Sequence, residues 1–183
     1  AYIRVDERKV KSTRVENRGD YMDIIFETEH LIIRKFKKED AEQLYLNHRE
    51  EAVKKWFPNE SYIDINEAIG AIDFYLDCAN NNRMPYVLAV ELKRTGELIG
   101  DTGVSETEVK ENEVEIGYQI TEKYKGNGYA TELLNAMTQF SFDNLDSAVV
   151  WGRVVFGNVA SARVLEKGGY TFVEKEMGAE DDP

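Results

Sequence analysis

The 183 residues (21.0 kDa) carry 35 Asp and Glu against 23 Lys and Arg, a formal charge of −12 and a sequence pI near 4.7. That acidity argues against nucleic acid and anionic lipid as partners, because binding to phosphate rests on Lys and Arg displacing counterions, and it favours a cationic or amine-bearing one. Hydrophobic residues at 42% supply a core for one domain of this length, while one cysteine, Cys78, and two histidines, His30 and His48, exclude an intrachain disulfide framework, an all-cysteine metal site and a three-histidine zinc site.

No run approaches 18 consecutive apolar residues and the N-terminus has no apolar signal core, so a cytoplasmic protein without membrane or metal is expected. Residues 1–20 have a local net charge of +2, which leaves −14 for the rest. Met22 then opens MDIIFETEHLIIRKF, so residues 1–21 read as a leader or arm and residues 22–183 as the domain. The segment HLIIRKF (30–36) predicts a strand, and KKEDAEQLYLNHREEAVKKW, with Glu39 and Asp40 in its first turn, predicts one helix. Asp64 with Glu67 has the form of an N-cap and its partner, opening a second helix to about Cys78, which the asparagines 80–82 end. Strands follow at Tyr86–Leu92, Glu97–Val104 and Glu113–Ile120 as an antiparallel meander, with Gly96 at the first turn. A helix (Tyr129–Phe142), a strand (Ala148–Phe156), a helix (Asn158–Lys167) and a strand (Tyr170–Glu174) complete a single α/β domain.

The stretch EVEIGYQITEKYKGNGYATELL (113–134) carries the most chemistry. A strand runs into Lys123-Tyr124-Lys125-Gly126-Asn127-Gly128 and a helix begins at once. Two glycines at that junction, with the helix N-terminus behind them, make an anion site suited to a pyrophosphate, although a tight turn alone explains the same pattern. A Walker A loop is excluded because Tyr129 and Ala130 follow Gly128. A dinucleotide fingerprint is excluded because Thr131 stands where its third glycine belongs.

KYKGNGYATELL resembles the cofactor-binding loop of the GCN5-related N-acetyltransferases (GNAT), Q/R-x-x-G-x-G/A, with Lys123 at the Gln/Arg position. NVASARVLEKGGYTFVE (158–174) is similar to a second block of that family, N-x-x-S-x-R-x-L-E-K-x-G-F. With LIIRKFKKEDAEQLY and RTGELIG, the similarity spans residues 24–175 and points to the RimJ/RimL-like branch. It implies a mixed, mostly antiparallel twisted sheet flanked by helices, with splayed strands forming an acetyl-CoA cleft. It also implies acetyl-CoA as donor, a primary amine (a protein N-terminus, polyamine or other small amine) as acceptor, direct attack in a ternary complex, and a homodimer as a frequent assembly.

Carried over residue by residue, the resemblance places Lys123, Lys125, Gly126, Asn127, Gly128, Tyr129 and Ala130 around the CoA pyrophosphate. It leaves a backbone N–H near Gln119 or Ile120 for the thioester, sets Asn158 to orient the thiol, Ser161 as the hydroxyl at the leaving group and Glu115 as general base. Alternation sends Glu115, Gly117 and Gln119 to one face and Val114, Ile116, Tyr118 and Ile120 to the other. Plainer roles compete: a solvated strand glutamate for Glu115, surface lysines for Lys123 and Lys125, an N-cap for Asn158 and a first-turn position for Ser161. Where many superfamily members have a tyrosine in L-Y-E-K, this chain has Val164-Leu165-Glu166-Lys167, so a catalytically inactive CoA-binding sensor or interaction module is the alternative. Trp56, Phe57 and Tyr62 form an aromatic cluster able to line an acceptor cleft. Gly168-Gly169 is expected to loosen the end of the preceding helix. The chain after Glu174 reads as a loop, so the sheet either lacks a last strand or is completed by another chain or by AYIRVDERKV, in which Ile3 and Val5 share a face.

Overall fold

Period-two runs of Ile, Leu and Val build the sheet on which everything else is arranged. The computed structural model describes residues 24–107 and 112–174, and residues 2–6 by their backbone. Eight strands, β1 (Tyr2–Asp6), β2 (Ile24–Glu27), β3 (Leu31–Arg34), β4 (Tyr86–Leu92), β5 (Leu98–Glu106), β6 (Glu113–Ile120), β7 (Val149–Arg153) and β8 (Thr171–Glu174), form one sheet. Its order is β2-β3-β4-β5-β6-β7-β1-β8, and neighbours are antiparallel except the parallel pair β6 and β7. The meander over residues 86–120 is therefore present as read, with β2 added at one edge.

Helices cover both faces. On one, α4 (Tyr129–Asn144) and α5 (Val159–Lys167) bury Leu133, Leu134, Met137 and Leu165 against Val114, Ile116 and Ile120. On the other, α1 (Ala41–Asn47) and α3 (Ile65–Asn80) pack Leu44 and Ile72 against Phe36, Ala89 and Leu98. The α3 cap is as expected: Asp64 accepts from Glu67 N, and the Glu67 carboxylate accepts from Ile63 N. Cys78 is buried on that helix.

Two expectations are corrected, and one left open between alternatives is decided. The single helix read over residues 37–56 is a 3₁₀ turn (Lys38–Asp40), α1, and a separate α2 (Glu51–Trp56). The break falls where Asn47 and His48, buried polar residues, bond to Leu98 O, Glu60 O and Asp101 across the fold, and Glu50 turns extended. The glycine pair does not loosen α5. Gly168 lets Leu134 approach to 2.9 Å of where a Cβ would stand, Gly169 supplies φ +84, and three consecutive N–H groups close the helix end onto Val164, Glu166 and Leu165 carbonyls. Finally, Tyr2–Asp6 lies inside the sheet between β7 and β8, so of the possible completions of the sheet it is the chain's own first strand that does it. The rest of the expected leader, residues 7–21, and the tail after Glu174 lie outside the described residues.

Candidate active site

The parallel pairing of β6 with β7 runs from Glu113↔Val149 to Ile116↔Gly152 and stops. From Gly117 to Ile120 the strand keeps only β5 as a neighbour. Thr121 N–H donates to Ile99 O at 2.8 Å, toward β5. Alternation then turns the N–H groups of Gly117 and Gln119 the same way and those of Tyr118 and Ile120 into the gap. Of Gln119 and Ile120, Ile120 is the one whose N–H faces the gap.

The gap opens on a cavity of about 360 Å³. Its floor is Ile120 and Tyr118, one wall is the glycine turn with the start of α4, another is Asn158 and Ser161 at the start of α5, and Trp56 at the end of α2 and Phe57 just after it also line it. Gly126 and Gly128 have φ +79 and +81, which favour glycine, and a Cβ at either would meet nothing within 4 Å. A bulky residue there would occupy the cavity side of the turn. N–H groups of a first helical turn lack intrahelical acceptors, and Gly128 has no side chain to supply one. These are the features a pyrophosphate requires, so the residues fit CoA.

All the expected site residues line this cavity except Glu115, Lys123 and Asn127. Lys123 is held by Glu97 at 3.0 Å, over the Tyr124 ring. Asn127 spends its side-chain amide on the carbonyls of Tyr124 and Lys125, folding the turn. Lys125 lines the cavity but is paired with Glu122 at 2.5 Å. Lys167, which the sequence reading did not single out, also lines it and has no ion-pair partner among the described residues. Asn158 both caps α5, accepting from Ser161 N at 3.2 Å, and faces the cavity. Ser161 Oγ lies 3.2 Å from the Tyr118 hydroxyl. Burial pushes the Tyr118 phenol up, the Ser161 hydrogen bond opposing, so it keeps its proton at neutral pH. Tyr118 escaped the sequence reading because its alternation places it on the core side.

A second cavity, of about 280 Å³, lies on the other face of the sheet and shares Phe57, Tyr118 and Gln119 with the first. His48 donates on both sides here, Nε2 to Asp101 Oδ2 at 2.7 Å and Nδ1 to Glu60 O at 2.6 Å. Burial works against the charged ring, but the carboxylate of Asp101 and these hydrogen bonds outweigh it and hold the His48 pKa at about 9. Tyr62 and Tyr75 face each other at 3.3 Å, both pushed up first by burial. The expected aromatic cluster therefore does line clefts, Trp56 and Phe57 in the first cavity, Phe57 and Tyr62 in the second. Glu115 shares this face but is paired with Arg153 at 3.2 Å, two residues from Gly117 of the cavity wall. His48, Glu60 and Asp101 are far apart in sequence, and no motif joins them. Among the described residues no cluster of His, Cys, Asp or Glu is placed to hold a metal, and no helix is long and apolar enough to cross a membrane.

Residues 30–171 match the family model of the acetyltransferase (GNAT) domain. The uncharacterized N-acetyltransferase YoaA of Bacillus subtilis (strain 168) is 30% identical over 146 residues, covering 80% of this chain and 82% of its own. A GNAT-family acetyltransferase from Bacillus anthracis superposes with a TM-score of 0.67 at 25% identity, over 81% of this chain and 82% of that one. RimL, the ribosomal L7/L12 alpha-N-protein acetyltransferase solved with coenzyme A, shares the fold with a TM-score of 0.66 at 17% identity, over 80% and 82% of the two chains. The chain belongs to the GNAT family of N-acetyltransferases.

Proposed function

We propose that the chain moves an acetyl group from acetyl-CoA to a primary amine by direct attack in a ternary complex. One observation carries the reading: β6 leaves β7 at Gly117 beside the glycine turn, so the Ile120 N–H, the start of α4 and the Tyr118–Ser161 hydroxyl pair all border one cavity that meets a second across the sheet. When bound, acetyl-CoA supplies the activated thioester. Ile120 N–H is the donor for its carbonyl oxygen. As the C–N bond forms and the C–S bond breaks, the amine proton passes to Glu115 through water, and Tyr118, linked to Ser161, returns a proton to sulfur. In this chain Tyr118 takes the part of the tyrosine whose place Leu165 occupies.

The test is thiol release from acetyl-CoA against a panel of amines and short peptides, with cofactor affinity measured separately. Gly128→Trp is expected to abolish both binding and turnover by filling the turn; unchanged acetyl-CoA affinity would sink the pyrophosphate assignment. Tyr118→Phe is expected to lower kcat about 100-fold with cofactor affinity retained, and Glu115→Gln to lower kcat with little change in cofactor affinity. CoA binding with no turnover on any acceptor would make the chain a CoA-binding sensor instead.

A further inference from the structure

We infer that the second cavity is the acceptor site and that it is built for a small amine carrying a second positive charge; the inference rests on the acetyl-transfer reading and specifies its substrate. The first observation is a buried acceptor with nothing to accept. Gln119 is 9% exposed and lines both cavities. Its Nε2 faces Asn47 O at 3.4 Å, and since a carbonyl only accepts, that contact fixes which end of the amide is which. Oε1 is then left without a donor. A buried amide oxygen in this state costs about 1–3 kcal/mol, which a bound N–H would recover. The nitrogen of an acceptor amine is such a donor, placed where the two cavities meet.

The second observation is the sign of the field. Glu60 is raised by burial and then by the charge of Asp101, with His48 and Arg153 opposing. The hydroxyls of Tyr62 and Tyr75 both feel Asp101 and Glu60 in the same sense. His48 supplies one positive charge, but both its N–H groups are committed. Asp101 uses Oδ2 for His48, and its Oδ1 has no hydrogen-bond partner among the described residues. Arg153 is paired with Glu115 outside the lining, so among the lining residues two carboxylates stand against one imidazolium, and a cation placed between Asp101 and Glu60 relieves the repulsion between them.

Size and walls narrow the ligand. About 280 Å³ is at the small end of the range for small-molecule sites. Phe57, Tyr62 and Tyr75 offer apolar and π surfaces for a short stem. A diamine meets all three demands: one nitrogen at Gln119 next to the thioester cleft, the other at the Asp101 and Glu60 end.

Calorimetric titration of 1,4-diaminobutane into the protein, with and without saturating CoA, tests this. Binding is expected, about tenfold weaker or more in Glu60→Gln and in Gln119→Leu, each of which removes a hydrogen bond to a charged group. 1-Aminobutane, with no second charge, is expected to bind more weakly than the diamine. Glu60 is at the cavity rim, so its variant reports even if Gln119→Leu folds poorly. Uptake of the diamine without uptake of CoA upholds the site and overturns only the acetyl-transfer reading. Undiminished diamine binding in Glu60→Gln, no diamine binding at all, or preference for an alanine-initiated tetrapeptide over the diamine would each overturn the assignment.

Discussion

Replacing Gly100 by alanine is expected to cost about 4 kcal/mol or more of stability, the exceptional range that overpacking against fixed atoms can reach. Gly100 pairs with Ile120 across β5 and β6. A Cβ on it would stand 2.0 Å from Gln119 O, 3.0 Å from Gln119 C and 3.2 Å from Ile120 Cα. All three are main-chain atoms, so no rotamer change relieves the clash. The two strands would have to part where β6 has already lost β7, and the Ile120 N–H and the Gln119 amide would move with them. Urea unfolding is the measurement, with Gly117→Ala and Gly70→Ala as references. At both of those a Cβ meets open space, and Gly70, inside α3, should gain about 0.5–1 kcal/mol as alanine. A Gly100→Ala protein as stable as these references would show that the strands are not this close.

The second large effect concerns His48. Its folded pKa of about 9 stands above the ordinary 6.5. The native state thus holds a proton that the unfolded chain has released over this interval, and stability must fall as pH rises. The contribution is fully present below about pH 6.5, is lost as pH rises through 9, and amounts to about 3 kcal/mol by the 1.36 kcal/mol per unit relation. Unfolding measured at several pH values between 6 and 9.5 should show that decline in the parent. In His48→Gln the decline should vanish and stability at pH 6 should be low, because Asp101 is left buried without its counter-charge. Parallel curves for the two proteins would mean that the ring is neutral throughout.

What could be read in advance divides by range. Strands β4 and β6 and the start of α4 at Tyr129 lie where hydrophobic period and glycine placement put them, because both are local signals. The α1–α2 break was not legible: a run such as AEQLYLNHREEAVKKW has helical composition throughout, and only partners 12 to 53 positions away at Glu60, Leu98 and Asp101 pull Asn47 and His48 out of it. The lining of the first cavity was largely legible for the same reason as the strands, since most of it comes from two contiguous blocks, 118–131 and 158–167. The second cavity is assembled from His48 at the end of α1, the 58–60 turn, α3 and three strands. One polar residue from each carries no pattern, although an aspartate between Gly100 and Gly103 in a buried strand was a sign that something faces it.

The seating of β1 affects how the chain reaches its native form. Ile3 lies opposite Gly152 on one side and Phe172 on the other, while β2, at most a few tens of residues further along the chain, sits at the opposite margin of the sheet. The loop closed by that contact is nearly the whole polypeptide, and such closures are entropically the most expensive and kinetically the slowest. The pairs β2–β3, β4–β5 and β5–β6 can form from neighbours, whereas the β7–β1–β8 end must wait for both termini of the described chain to meet. That end should therefore be the first to open, exchanging its amides with solvent sooner than the β4–β5–β6 centre, and a partner able to lend a strand would find its vacancy there rather than at the cofactor cleft.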